Sequence, residues 1–339
     1  MVEITESQIY QHQSDWTSIR QFQPPAIRTF ADMTLFELLS TLSTEEINPR
    51  TVEIDLASTR AMVEMLAEED RRVAEAVALV LDPIAAAVDA IVPVLANGGS
   101  LVYVGAGTSG RLGILDASEM PPTFGVDPTM VQGIIAGGHQ AVFRSVEGAE
   151  DSRDEGGNAI DALITPDMPA AVCGLSASGR TPFVLGALER AAARGFPTAF
   201  VSTNSESVVR QQAPYVQTLI CPHVGPEPIA GSTRMNSGTA QKMVINMIST
   251  ACMVRLGKTY GNVMVDLQLT NEKLVERGRK IVMEIGGIPY QEATNILSQA
   301  GGHVKTALVM ILASCSREQA EVRLAEAGGH VRKALEGTT

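Results

Sequence analysis

The sequence predicts an α/β chain: a doubly wound parallel sheet with a helical N-terminal lead-in and a small all-helical C-terminal domain. From Gly99 onward, short apolar runs (SLVYVG, VQGIIAG, AAVCGLS, PTAFVS, YVQTLIC) alternate with longer amphipathic ones. That rhythm is expected of βαβ units whose strands are buried on both faces. Between Thr44 and Asn97 the apolar residues instead recur at helical spacing, as in Ala61, Met62, Met65 and Leu66, then Ile84 to Leu95, closed by Gly98-Gly99. Beyond Leu267 the chain reads helical again and repeats itself. Ala300-Gly-Gly-His-Val-Lys-Thr-Ala-Leu308 matches Ala327-Gly-Gly-His-Val-Arg-Lys-Ala-Leu335 at an offset of 27 residues.

These patterns divide the chain into three. Residues 1–43, rich in Gln and Thr, contain Pro24-Pro25 and one helix-like stretch around Leu35 to Leu39, and read as an appendage. Residues 44–267 are expected to form the α/β domain with its helical lead-in, and 268–339 the helical domain with the tandem repeat. Each repeat copy is expected to be a small helix pair joined by a Gly-Gly corner. His303 and His330 fall at equivalent positions, which favours a structural role for both.

Composition excludes several classes. Of 339 residues, 45% are hydrophobic and 19% charged, an ordinary globular interior rather than a disordered chain or coiled coil. Acids exceed bases by 38 to 26, a net charge of −12, which argues against nucleic acid or an anionic membrane as partner. The four cysteines (Cys173, Cys221, Cys252, Cys315) form no CxxC pair and read as buried free thiols in a reducing compartment. The polar, acidic N-terminus has no apolar leader segment, and no stretch reaches membrane-spanning length, so the expected location is cytoplasmic.

In open α/β sheets ligands bind outside the C-terminal ends of the strands, which directs attention to two loops. Gly105-Ala-Gly-Thr-Ser-Gly110 fits GxGxxG after a strand and before a helix. The next strand, VQGIIAGG, ends without the acidic residue that would hold a dinucleotide ribose. Thr108, Ser109 and the free amides of the helix start suit a smaller anionic or polyhydroxylated ligand. Ser176-Ala-Ser-Gly-Arg-Thr181 precedes Pro182, a good first helical residue. Ser176, Ser178, Thr181 and the amides around Gly179 can surround a phosphate without a lysine. Both loops also read, more plainly, as capped helix starts.

Two carboxylates stand out. Glu119 precedes Pro121-Pro122, which are expected to end its helix. A helix C-terminus and Asp116 three residues earlier both favour the protonated form, as a general acid requires. Glu150, in VEGAEDS, is expected where a new helix begins, an environment that keeps a carboxylate ionised and able to act as base. The acids from Glu147 to Glu155 also read as a solvated face. Ser232, Arg234 and Lys242 lie in the polar segment Gly231 to Lys242, whose two cations read either as partners for an anionic substrate or as solvated surface charges.

The strings GAGTSGRLGILDASEMPPTFGV, VEGAEDS, SASGRTPFV, GSTRMNSGTAQKMVINMIST and NVMVDLQLTNEKL closely resemble the bacterial N-acetylmuramic acid 6-phosphate etherases, which have the sugar isomerase (SIS) fold. TEEINPRTVEID is similar to that family's N-terminal signature, and the likeness runs from about Thr44 to Leu335. The resemblance implies cleavage of a D-lactyl ether in peptidoglycan recycling, with no cofactor and no metal. It implies Glu119 as the acid for the departing lactate and Glu150 as the base at C2. Ser176, Ser178, Gly179 and Thr181 become the phosphate cradle, Thr108 and Ser109 face the sugar, and Ser232 and Arg234 join the substrate contacts. A homodimer with sites near the subunit interface is implied as well. One departure is Asn236, where the family usually has Lys, which would remove a cation from beside the substrate. The competing classes are a non-catalytic phosphosugar sensor, similar to glucokinase regulatory proteins, and an SIS isomerase acting on another phosphosugar.

Overall fold

The computed structural model describes residues 42–267, 269 and 271–336. The appendage reading, including the stretch at Leu35 to Leu39, falls on residues outside that range apart from its last two positions. Helix α1 (Thr59–Ala78) is capped by Ser58, whose hydroxyl accepts from the Ala61 amide, and α2 (Leu81–Ala96) follows it. Then come β1 (Ser100–Gly105), α3 (Gly107–Phe124), β2 (Val131–Ile135), α4 (Gly138–Phe143), α5 (Arg153–Leu163) and β3 (Ala170–Leu175). The layer is completed by α6 (Pro182–Ala193), β4 (Thr198–Val201), α7 (Glu206–Gln212), β5 (Thr218–Ile220) and α8 (Asn236–Arg255).

The five strands are all parallel in the order β2-β1-β3-β4-β5. Because successive strand side chains point to opposite faces, one β-sheet serves two cores. Leu101, Tyr103, Ala171 and Cys173 pack with α1, α2, α3 and α8. Val102, Val104, Val172 and Phe200 pack with α5, α6 and α7 on the other face. Strands buried on both sides account for the unbroken apolar runs of the sequence.

Two helices are held unusually close. A Cβ built on Gly156 of α5 would overlap the carbonyl oxygen of Phe183, and one built on Gly186 of α6 would overlap that of Arg153. Only glycine permits this backbone-on-backbone crossing.

A two-stranded antiparallel hairpin, β6 (Thr259–Tyr260) with β7 (Val263–Met264), leads to five helices: α9 (Glu272–Gly286), α10 (Tyr290–Gln299), α11 (Val304–Leu312), α12 (Arg317–Glu326) and α13 (Val331–Glu336). The repeat copies are the pairs α10–α11 and α12–α13. Their corners are Gly301-Gly302 and Gly328-Gly329, all four at φ between +59° and +82°. Ala293 and Leu297, with their counterparts Ala320 and Leu324, are buried in one shared core. The amides of His303 and His330 close equivalent turns onto Ala300 and Ala327, each at 3.3 Å.

Two local expectations are corrected. Pro121 and Pro122 lie inside α3, which runs on to Phe124 and ends with Gly125 in the left-handed conformation. The carbonyls these prolines leave without helical donors belong to the buried Ala117 and the exposed Ser118, and α3 continues past both. Helix α5 starts at Arg153, not at Glu150, because Ser152 is its cap and accepts from the Glu155 amide.

Candidate active site

The chain switches direction across the sheet between β1 and β3, whose last residues, Gly105 and Leu175, are register partners. That switch point is where an open α/β sheet leaves a crevice at its carboxyl edge. Both singled-out loops open from it. After β1 the turn is so tight that a Cβ on Gly105 would sit 2.5 Å from the Gly110 nitrogen, and Gly107 adopts φ +52°. Thr108 is half-buried and Ser109 buried at the start of α3.

After β3 the hydroxyls converge. Ser176 lies 2.8 Å from the Thr181 hydroxyl and 3.5 Å from that of Ser178, which in turn accepts from the Arg180 amide. Gly179, at φ +70°, folds the loop back so that its amide donates to the Ser176 carbonyl. The loop rests on β4 and its extension: the hydroxyls of Ser202 and Thr203 both donate to the Ala177 carbonyl, and Asn204 donates to that of Ser178. Three hydroxyls, loop amides and the N-terminus of α6 are thus gathered in one loop, a donor set that can hold a phosphate. The sequence reading missed Arg180. Its Nη1 is buried with no hydrogen-bond partner among the described residues, and burial lowers its pKa. Its place between Gly179 and Thr181 was the available signal.

The structure brings Glu150 to this cradle. Its carbonyl accepts from the amide of Phe183 at 3.0 Å, two residues past Thr181, while its side chain stands in an exposed segment. Glu150 also lines a cavity of about 200 Å³ that reaches Gly107, Arg111 and Arg144.

Glu119 is placed elsewhere. Eleven residues of continuous helix separate it from Thr108, about 16 Å along the axis. Its side chain is 57% exposed. Lys242 Nζ stands between the two carboxyls of this helix, 3.4 Å from Asp116 and 4.0 Å from Glu119. The carboxyl that burial raises on this helix is Asp116.

The loop before α8 carries Ser232 and the exposed Arg234, and folds through bonds from Gly231 to the Thr44 carbonyl and from Gly238 to that of Thr233. It abuts the first loop: a Cβ on Gly238 would lie 3.5 Å from Thr108 Cγ2. Asn236 does not face an open crevice. It is buried, its side chain donates to Glu69 and the Pro226 carbonyl, and its amide donates to Glu227. Arg50 and Asn48 also bind Glu69. A neutral residue here therefore removes a charge from a buried carboxylate network rather than from the cradle. Thiol chemistry finds no support: burial pushes Cys221 and Cys252 up to about 12, and Cys173 higher.

Residues 83–192 match the glucokinase regulatory protein N-terminal SIS domain. Two solved structures align at lower similarity: the c3406 protein of E. coli CFT073 (TM-score 0.43, 16% identity, 61% of this chain and 97% of that one) and a phosphoheptose isomerase from Francisella tularensis (TM-score 0.41, 15% identity, 58% and 97%). Curated relatives are far more similar. The N-acetylmuramic acid 6-phosphate etherase of Yersinia pestis (strain Pestoides F) is 51% identical over 83% of this chain and 94% of its own length. That of Salinibacter ruber (strain DSM 13855 / M31) is 53% identical over 89% of this chain and 96% of its own length. With half of all positions shared across nearly the full length of these relatives, the chain belongs to the N-acetylmuramic acid 6-phosphate etherase family.

Proposed function

We propose that this enzyme is a carbon–oxygen lyase that converts N-acetylmuramic acid 6-phosphate and water to N-acetylglucosamine 6-phosphate and D-lactate in peptidoglycan recycling. One observation carries the reading: a carboxylate, Glu150, is pinned by its own backbone to a hydroxyl-lined cradle fit for a sugar phosphate. Ser176, Ser178, Gly179 and Thr181 hold the phosphate, and Thr108, Ser109, Ser232 and Arg234 contact the sugar. The open-chain aldehyde acidifies the C2 proton, which Glu150 removes. The C3–O bond breaks with its electron pair leaving on lactate, and Glu119 supplies the proton. Water then adds to the unsaturated aldehyde, hydroxide at C3 and the proton from Glu150 at C2, while Glu119 recovers its proton from the water.

The 16 Å offset of Glu119 from Thr108 favours a homodimer in which each subunit lends its Glu119 to the other's crevice. Residues 44–267 carry this chemistry, 268–339 form the helical domain and 1–43 remain an appendage, in a cytoplasmic protein with free thiols.

The test is D-lactate release by wild type, Glu119→Gln and Glu150→Gln. Wild-type release lost in both variants is the expected result. A phosphosugar that raises the melting temperature without lactate release would favour the sensor class instead. Mixing the two inactive variants under subunit exchange should restore about a quarter of wild-type activity, because half the dimers carry one intact site. No recovery would place both carboxylates in one subunit's site.

A further inference from the structure

We propose that Arg111 and Arg144 form a second anion subsite, one that takes the carboxylate of the three-carbon ether substituent. The inference deepens the etherase reading and rests on it. The cavity beside Glu150, about 200 Å³, is walled by Gly107, Arg111, Arg144, Gly148 and Glu150, and is large enough for a short hydroxy acid. Two guanidinium groups in one small cavity are conspicuous on a chain of net charge −12. Arg111 is held by its Nε, which donates to the Val142 carbonyl at 2.9 Å, leaving its terminal nitrogens for another acceptor. Neither arginine forms an ion pair among the described residues, although Glu147 and Glu150 share the cavity wall with them.

The placement matches the substrate's two anions. Glu150 is a wall common to cradle and cavity: its carbonyl binds Phe183 at the cradle, and its residue lines the cavity. A phosphosugar anchored at Ser176 and Thr181 passes its C2 across Glu150. C3, the neighbour of C2 on the phosphate side, bears the ether substituent, and the cavity that Glu150 also lines is the space within reach of it. A guanidinium is suited to this task because its planar fork meets a carboxylate bidentately. The subsite would let the enzyme separate its substrate from N-acetylglucosamine 6-phosphate, which has the same phosphate but no carboxylate.

The experiment compares these two ligands. Arg144→Gln and Arg111→Gln should each raise the KM for N-acetylmuramic acid 6-phosphate by about tenfold to a hundredfold, the loss of a charge-assisted hydrogen bond. The inhibition constant of N-acetylglucosamine 6-phosphate should stay within about twofold, and Arg144→Lys should recover part of the loss. Equal weakening of both ligands, or no change in either, overturns the subsite. If Arg111→Gln fails to fold because its bond to Val142 is structural, Arg144→Gln decides alone. If wild type releases no D-lactate, the etherase reading fails separately. Thermal shifts with the same two phosphosugars then read the subsite by the same criterion.

Discussion

Lys242 Nζ lies 3.4 Å from Asp116 Oδ1, a cation reaching from α8 to a buried carboxyl on α3. Burial raises the pKa of Asp116, and Ser249 and the Lys242 ammonium pull it back only in part. A carboxyl raised in the folded state contributes stability that is present below its unfolded value and lost as pH rises through its folded one. Lys242→Met raises Asp116 further, so the substitution should cost little near the ordinary value of 3.8 and more at neutral pH. We expect a loss of about 1–3 kcal/mol at pH 7, shrinking toward pH 4. Urea denaturation at both pH values checks this, and a cost independent of pH would remove the pairing from the account.

Asp266 predicts the opposite slope. Burial alone would raise it, but Lys258 at 2.6 Å and Lys305 at 2.9 Å hold it below the usual carboxylate range. Its contribution is therefore present above the unfolded value and lost as pH falls through the folded one. Asp266→Asn should lower stability by about 1–3 kcal/mol at pH 7 and converge on wild type in acid. Denaturation curves that stay apart at low pH would count against the ion-pair explanation.

Glu227 caps α8 from a fully buried position, accepting from the Asn236 amide at 2.7 Å and the Ser237 amide at 3.0 Å. In Glu227→Gln one acceptor becomes a donor facing an N–H group. The expected loss is about 1–3 kcal/mol in chemical denaturation, the cost of one unmet buried donor. Unchanged stability would mean that these amides are satisfied another way.

At Gly179 the backbone requires φ +70°, and an added Cβ would meet Val209 Cγ2 at 2.8 Å and Ser202 Oγ at 2.9 Å. Gly179→Ala should distort the cradle and raise KM by about tenfold or more, since strain of this kind costs about 1–3 kcal/mol. Steady-state kinetics separate this from a folding defect, which would lower the active fraction without changing KM.

The sheet and its two loops are legible in the sequence because buried parallel strands leave unbroken apolar runs, each closed by the glycines and hydroxyls that a ligand loop needs. What lay beyond reach depends on three-dimensional accidents of solvent and packing. Pro121 and Pro122 read as a helix end, yet α3 continues through them to Phe124. Asn236 reads as a missing substrate cation, yet it packs on Glu69, 167 residues earlier in the chain. Arg111 and Arg144 carry no local pattern and converge only when α3 and the segment after α4 fold beside one another.

The crossing of α5 and α6 at Gly156 and Gly186 has a mechanical consequence. One helix follows directly from the segment holding Glu150, and the other carries the cradle at its first turn, so backbone contact makes the pair a single stiff beam. Under the proposed reaction, the span between Glu150 and the phosphate loop would be set by this crossing rather than by a hinge. A phosphosugar one carbon shorter or longer would then present a different C–H to Glu150, however well its phosphate were held.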